Sequence, residues 1–235
     1  MSRFILPSCQ DCESRKGTLM GCCQLEELDM VAANKQVFFY QKGQTIFQEG
    51  NAATGLHCVH KGKIKITKSG GDGKQQITRL AKEAEVLGFH PLLTQSKYSN
   101  SAVALEECVV CFIPRADFLR MVHANSQFST SLMQLLAAAL TEAEARMLHL
   151  AYKPVRERLA EGLLLLRRTF QTKDDQQPFS MAISRDDLAA LVGTAKETAI
   201  RLLSELKEDG IVATRGSRLT ILKPEALGHI AAFYD

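Results

Sequence analysis

Residues Ile183 to Asp209, ISRDDLAALVGTAKETAIRLLSELKED, constrain the chain more tightly than any other stretch. Ser184 precedes Asp187 by three residues, as in a capping box, and Leu188, Ala189, Leu191 and Val192 follow at helical spacing up to Gly193. A glycine there suits a tight turn, and Thr194 can cap the next helix. Ala195 to Asp209 then carries Ala199, Leu202, Leu203 and Leu206 on one stripe. Two short helices around a glycine turn form a helix-turn-helix. Beyond Gly210, the runs Ile211–Thr214 and Leu219–Leu222 flank Arg215-Gly216-Ser217 and predict a hairpin, which at this place is a wing.

The residues left off the buried stripe say what the second helix can meet. Lys196, Glu197, Ile200, Arg201 and Ser204 project from its N-terminal half, the part that such helices present to base edges in the major groove. Arginine donates as a fork to guanine and glutamate accepts from cytosine, so Glu197 and Arg201 are expected at bases, with Lys196 beside them. Ser184, Thr194 and Thr198 are expected at phosphates, helped by the helix N-terminal dipole. The partner implied is double-stranded DNA. Charge does not carry this inference: the net charge is +3, and from Ala151 onward 13 Lys or Arg face 12 Asp or Glu. An ordinary amphipathic pair is the alternative, and the order helix, glycine turn, helix, hairpin weighs against it.

With 235 residues, 46% of them hydrophobic, the chain can bury more than one core. No stretch reaches the roughly 18 to 20 apolar residues of a membrane helix, and the start MSRFILPSCQ lacks a signal-peptide core. A cytoplasmic protein without membrane contact is expected. The texture divides the chain into a cysteine-rich segment (1–24), a β-rich domain (25–124), a long helix (125–152) and the helix-turn-helix module (153–235).

Four of the seven cysteines lie between residues 8 and 23, SCQDCESRKGTLMGCC. Cys9-x-x-Cys12 puts two thiolates within reach of one metal centre, and Cys22 and Cys23 offer further ligands. In a reducing compartment such crowding points to metal or redox chemistry rather than disulfides. A structural zinc on Cys9, Cys12, Cys22 and Cys23 and reversible thiol oxidation both remain open. Cys58 and Cys108 read as packing residues.

From about Val37 to Pro114 short β-type runs alternate with glycine turns, which predicts a β-barrel or jelly roll. Lys63 to Ile66 alternates, placing Ile64 and Ile66 inward and the two lysines in solvent. From about Asn125 to Leu150, Leu132, Leu136, Ala139, Ala143, Met147 and Leu150 recur at three or four, a narrow stripe of the kind that pairs helices. Pro154 opens a further helix, Val155 to Phe170; residues 171 to 177 read as a loop, and Pro224 to Phe233 as a last helix.

ETAIRLLSELKEDGIV resembles the recognition helix of the CRP/FNR superfamily of bacterial transcription regulators, with Glu197 and Arg201 at that family's base-reading positions. KGQTIFQEGNAATGLHCVHKGKIKI, VLGF and ALEECVVCFIP are similar to its cyclic-nucleotide-binding-like roll, so the resemblance spans nearly the whole chain. It implies an α+β architecture: the N-terminal roll, a long dimerisation helix carrying the stripe above, and a C-terminal winged helix-turn-helix. A homodimer on two half-sites, working with RNA polymerase, follows from it.

Cyclic-nucleotide-binding members carry an arginine for the cyclic phosphate; here the matching stretches read Leu87-Gly88-Phe89-His90 and Ser99-Asn100-Ser101, so cyclic AMP is not expected. Cys9-Gln10-Asp11-Cys12 and Val110-Cys111-Phe112-Ile113-Pro114 resemble instead the FNR-like branch, whose members hold a 4Fe–4S cluster. That resemblance implies Cys9, Cys12, Cys111 and one of Cys22 or Cys23 as ligands, and oxygen, nitric oxide or redox state as the signal. Zinc or no metal, with another small effector, is the alternative. A cupin-like metal enzyme is disfavoured because His57 and His60, three apart on a strand, face opposite sides. No nucleophile elbow or Cys/His signature suggests another enzyme.

Overall fold

The computed structural model describes residues 9–15, 18–71, 73–171 and 178–232. Apart from Gln171, the expected loop at 171–177 lies outside the described residues, as do Ser8, Lys16, Gly17, Asp72 and the expected helix end at Phe233. Two 3-10 turns, Glu13–Arg15 and Leu19–Cys22, lead into α1 (Leu25–Asn34), which is opened by a reciprocal capping box between Gln24 and Glu27.

The roll follows: β1 (Gln36–Tyr40), β2 (Thr45–Phe47), β3 (Gly55–Lys61), β4 (Ile64–Ser69), β5 (Gln75–Ala81) and β6 (Val86–Leu87), then α2 (Phe89–Thr94), β7 (Ser101–Ala104) and β8 (Cys108–Pro114). One sheet is ordered β1-β8-β3-β6 and the other β2-β7-β4-β5. Helices α3 (Arg115–Ala124), α4 (Ser126–Tyr152) and α5 (Val155–Phe170) come next. The C-terminal module adds β9 (Ser180–Ala182), α6 (Arg185–Val192), α7 (Lys196–Glu208), β10 (Val212–Arg215), β11 (Arg218–Ile221) and α8 (Pro224–Ala231), with a sheet ordered β10-β11-β9. The chain forms two compact units, residues up to 64 with 81–140, and 65–80 with residues from 141 on.

In the first unit, Leu28 and Val31 of α1, Leu56 of β3, Ile113 of β8, Phe118 of α3 and Phe128 of α4 share one core. Asn125 pins the start of α4: its Oδ1 accepts from the Phe128 amide at 2.9 Å, while its Nδ2 donates to the Cys22 carbonyl at 3.0 Å and to Glu27 at 2.7 Å. One residue thus caps a helix and ties it to the cysteine-rich segment and to α1.

Several expectations change. The last part of the β region holds two strands without a glycine between them, because Leu105–Glu107 turn the chain between β7 and β8. Residues just after Pro114, expected in the β domain, form helix α3. Ile64 and Ile66 are buried as their alternation demands, but neither lysine lies freely in solvent: Lys63 pairs with Glu106 at 3.2 Å, and Lys65, its side chain only 16% exposed, pairs with Asp187.

His57 sits inside the roll, 6% exposed, with its ring 5.2 Å from Phe47 and 5.3 Å from Phe112, and Phe47 stacks on Tyr98 at 4.2 Å. Its Nδ1 has no hydrogen-bond partner among the described residues. Burial without compensation pushes its pKa down to about 4. Above about pH 6.5 folded and unfolded chains both carry a neutral ring; as pH falls from there to about 4, only the unfolded chain takes up the proton, and folding loses up to about 3 kcal/mol. His57→Phe is therefore expected to flatten the stability profile between pH 6.5 and 4, read by urea unfolding at each pH.

Candidate functional site

The helix-turn-helix is built by capping at both ends of α6. Ser184 Oγ accepts from the Asp187 amide at 2.9 Å and donates to the Asp187 carboxylate at 2.8 Å. At the other end Gly193 takes the left-handed conformation (φ 72°), and the amides of Gly193 and Thr194 both return to the Ala189 carbonyl, at 2.9 and 3.1 Å. The turn needs glycine for its φ, while the neighbour a Cβ would meet first, 2.7 Å away, is the mobile end of the Leu150 side chain.

Two arginines hold the remaining carbonyls of that end. Arg146 Nη2 donates to Leu191 O at 2.7 Å and to Ile77 O at 2.5 Å, and Arg158 Nη1 donates to Val192 O at 3.1 Å and Gly193 O at 3.2 Å. Cations at a helix C-terminus also suit its dipole. Burial lowers the pKa of both guanidinium groups from the ordinary arginine value.

Helix α7 begins at Lys196 with Ala195, not Thr194, as its N-cap, and with no side-chain cap. Its first-turn amides are therefore not capped by a side chain of their own, which suits an external phosphate. Ala199, Leu202, Leu203 and Leu206 are buried, while Lys196, Glu197, Ile200, Arg201 and Ser204 are exposed. Glu197 and Arg201, four residues apart, share that outer face. Arg201 reaches Glu205 at 2.5 Å and Lys196 reaches Asp186 at 2.9 Å, both as exposed pairs that cost little to open. Thr194 and Thr198 are half-buried, and the Ser184 hydroxyl is already engaged by Asp187.

The wing is β10–β11, with pairing from Val212↔Ile221 to Arg215↔Arg218 and Gly216 at its tip. Arg185 Nη2 donates to Gly216 O at 3.2 Å, tying the wing to the start of α6. Arg215 and Arg218, exposed on either side of the tip, are phosphate candidates that the sequence reading missed. Two arginines bracketing a Gly-Ser turn were the available signal.

The second site is a cavity of about 60 Å³ in the first unit, and Cys9, Cys12, Cys58 and Cys111 all line it. Cys58 and Cys111 are direct partners in the β3–β8 register. The N-terminal loop is moored over them: Arg15 donates to Gln10 O at 2.9 and 3.2 Å, and Ser14 Oγ donates to Glu83 at 3.0 Å and His60 O at 3.3 Å. Cys12 Sγ lies 3.7 Å from His60 Nδ1. Arg15 and Lys35 are the cations of the lining, which among the described residues includes no carboxylate.

Cys22 and Cys23, expected to supply a ligand, do not line this cavity. Cys22 Sγ contacts Ser131 Oγ at 3.1 Å; Cys23 is buried against Met121, and burial, with Glu27 nearby, pushes its thiol up to about 12. The reason is local: Leu19 and Met20, at the start of the same 3-10 turn, anchor in the core, and although Met20 also lines the cavity, the turn leaves the two sulfurs on Ser131 and Met121. Cys58, read as packing, does pack against the core and also lines the cavity, while Cys108 is a packing residue whose Sγ faces the carbonyls of Glu106 and Lys63. Burial raises the thiols of Cys58 and Cys111, and their neighbouring cysteines raise them further. Among the described residues no group of three or more His, Cys, Asp or Glu could hold a single metal ion.

As a donor set the cavity fits an iron–sulfur cluster in kind: four soft cysteine sulfurs, with cations beside them to balance thiolate charge.

A β-roll joined to a winged helix-turn-helix defines a DNA-binding transcription regulator. Residues 37–125 match the cyclic nucleotide-binding domain family and residues 157–230 the Crp-like helix-turn-helix domain family. Over 206 residues the chain is 30% identical to the cyclic AMP receptor protein of Thermus thermophilus, covering 88% of this chain and 93% of that protein. Over 227 residues it is 27% identical to the fumarate and nitrate reduction regulatory protein of Escherichia coli, covering 95% and 90%. The structure of FixK2 from Bradyrhizobium japonicum superposes with a TM-score of 0.74 at 25% identity, over 86% of this chain and 99% of that one. The chain belongs to the CRP/FNR superfamily of bacterial transcription regulators, which are not enzymes. No helix among the described residues is long and apolar enough to cross a membrane.

Arg158→Ala leaves the carbonyls at the end of α6 short of a donor and is expected to cost about 1 to 3 kcal/mol in the C-terminal module. Thermal unfolding of the variant measures that loss, and DNA affinity is expected to fall with it.

Proposed function

We propose that this regulator acts as a homodimer on two DNA half-sites and that its cysteine cavity senses oxygen, nitric oxide or redox state. The observation carrying the sensory reading is the convergence of cysteines from the N-terminal loop and from two paired strands on one cavity with cationic lining. Cys9, Cys12 and Cys111 are three of the thiolates proposed to hold an iron–sulfur cluster. Such a cluster supplies a centre that oxidants degrade. The protein's own residues turn its state into motion: the Cys9–Arg15 loop is held by Gln10 to Asp29, at 2.6 Å, and by Ser14 to Glu83, so a change in thiol ligation pulls on α1 and on the turn before β6. A closed zinc site on Cys9, Cys12, Cys22 and Cys23 is less well supported, because two of those sulfurs lie in the cavity and two have other partners. Iron and acid-labile sulfide analysis after anaerobic purification is expected to find both; iron-free, colourless protein that resists reconstitution contradicts the cluster.

The dimer reading needs a seam, and burial moves it from the stripe expected from sequence. Leu132 is in the roll core, Leu136 packs against that core, and Leu150 lies beside Gly193. The outward seam is Met133, Leu140 and Met147, each 61 to 64% exposed, with Ala137 and Ala151 between and beyond them. These positions alternate by four and three, the heptad spacing of a two-helix coiled coil, with Glu144 as a polar interruption. Ala139 and Ala143 lie off this seam. Leu140→Glu is expected to convert the dimer to monomer in sedimentation equilibrium and to lower affinity for a two-half-site duplex far more than for one half-site. RNA polymerase is the proposed partner of the DNA-bound dimer.

At the DNA, Glu197 and Arg201 are proposed to read bases, Lys196 to assist them, and Thr194 and Thr198 to meet phosphate together with the first amides of α7. Ser184 is proposed to reach phosphate only by sharing the hydroxyl that caps α6. Arg201→Ala is expected to lose about 1 to 3 kcal/mol at the cognate base pair and little at a substituted one. Anisotropy titrations with a panel of half-site variants measure this; an equal loss on every duplex contradicts base reading.

A further inference from the structure

The proposed cluster needs a fourth protein ligand, and the placement of the cysteines selects one. Cys22 and Cys23 belong to a 3-10 turn and its C-cap whose neighbours Leu19 and Met20 are core residues. Their sulfurs contact Ser131 and Met121, not the cavity. Cys108 is paired with Tyr40 and its sulfur faces backbone carbonyls, also away from the cavity. Cys58 alone among the remaining thiols lines the cavity, held on β3 directly opposite Cys111. Directly paired residues on antiparallel strands project their side chains to the same face of the sheet. The pairing is also close: Gly55, three residues before Cys58, lets β3 approach β8 so nearly that a Cβ there would stand 2.4 Å from Ile113 O. The sheet thus offers two sulfurs at fixed spacing, and the loop folds Cys9 and Cys12 over them.

We propose that Cys58 is the fourth cluster ligand, so that the set is Cys9, Cys12, Cys58 and Cys111, two from the loop and two from adjacent strands, with Cys22 and Cys23 outside it. This rests on the iron–sulfur reading of the cavity and goes beyond it by assigning the ligand from strand register. On loading, each of the four thiols gives its proton to solvent as its sulfur binds iron. His60, whose ring nitrogen lies near Cys12, and the cations Arg15 and Lys35 then border the sulfurs from outside the ligand set.

The test loads full-length protein anaerobically with equal ferrous and ferric iron and sulfide, so that no outside oxidant is needed, and compares wild type, Cys58→Ser, Cys58→Ala and the double variant Cys22→Ser/Cys23→Ala. Iron and sulfide per chain, the visible charge-transfer absorption and the lifetime of that absorption in air are read for each, with circular dichroism to confirm folding. Wild type and the double variant are expected to load alike, while both Cys58 variants lose most of the cluster or hold one that decays at least tenfold faster in air. If wild type loads and folded Cys58 variants match it in content and lifetime, the assignment of Cys58 is overturned and the sensory reading stands. If the double variant loses the cluster while the Cys58 variants keep it, the ligand comes from the turn and the assignment is likewise overturned. If wild type itself takes up no iron, the sensory reading and the assignment fail together. Should both Cys58 variants misfold, Cys58→Asp, which retains an oxygen ligand, decides: recovery of a cluster with altered absorption supports ligation, and an unchanged spectrum contradicts it.

Discussion

The antiparallel pairing of Gly55–Lys61 with Cys108–Pro114 is the constraint on which the N-terminal roll and its cysteine cavity depend. It joins two strands distant in sequence and buries Leu56, Val59, Val110 and Ile113. A one-residue slip in its register would turn Cys58 or Cys111 to the opposite face. The register shift between Val59 and Lys61 then bends β3 as it leaves the cavity, next to His60 and the Cys12 sulfur. Chemistry at the cavity is therefore set by sheet geometry first and by the cysteine-rich loop second.

The C-terminal unit follows a different logic, in which a few polar contacts fix the presentation of one helix. Gly193 supplies the sharp turn, and the arginines of α4 and α5 hold the carbonyls around it. The Ala199, Leu202, Leu203 and Leu206 stripe then fixes the rotation of α7, which leaves Glu197 and Arg201 facing out. Arg146 thereby ties the C-terminal part of α4 to the carbonyl end of α6.

Much of this was legible before any coordinates, and for physical reasons. The helix-turn-helix announces itself because capping serine, left-handed glycine and a 3.6-residue apolar period are local signals, and each falls where expected within a residue or so. The roll was legible as a class, but its shortest strand, Val86–Leu87, was not, and neither was Ser180–Ala182 of the C-terminal module, since so few residues carry no period. On α4, Leu132 and Leu136 have the right spacing to pair with another helix and are instead packed on the roll core; periodicity finds an apolar face without saying what covers it. The same limit applies to cysteine. Crowding in sequence drew Cys22 and Cys23 into the ligand set, whereas the cavity draws on Cys58, whose nearness to Cys111 exists only through strand register.

The central claim is that the state of the cysteine cavity sets the affinity of α7 for duplex DNA. The most direct measurement is a salt-controlled anisotropy titration of the anaerobically loaded protein against a duplex selected by that same protein, repeated after air exposure with iron content followed in parallel. The account predicts that affinity changes by tenfold or more as iron is lost and that the change reverses on reloading. Equal affinity before and after complete loss of iron would contradict it.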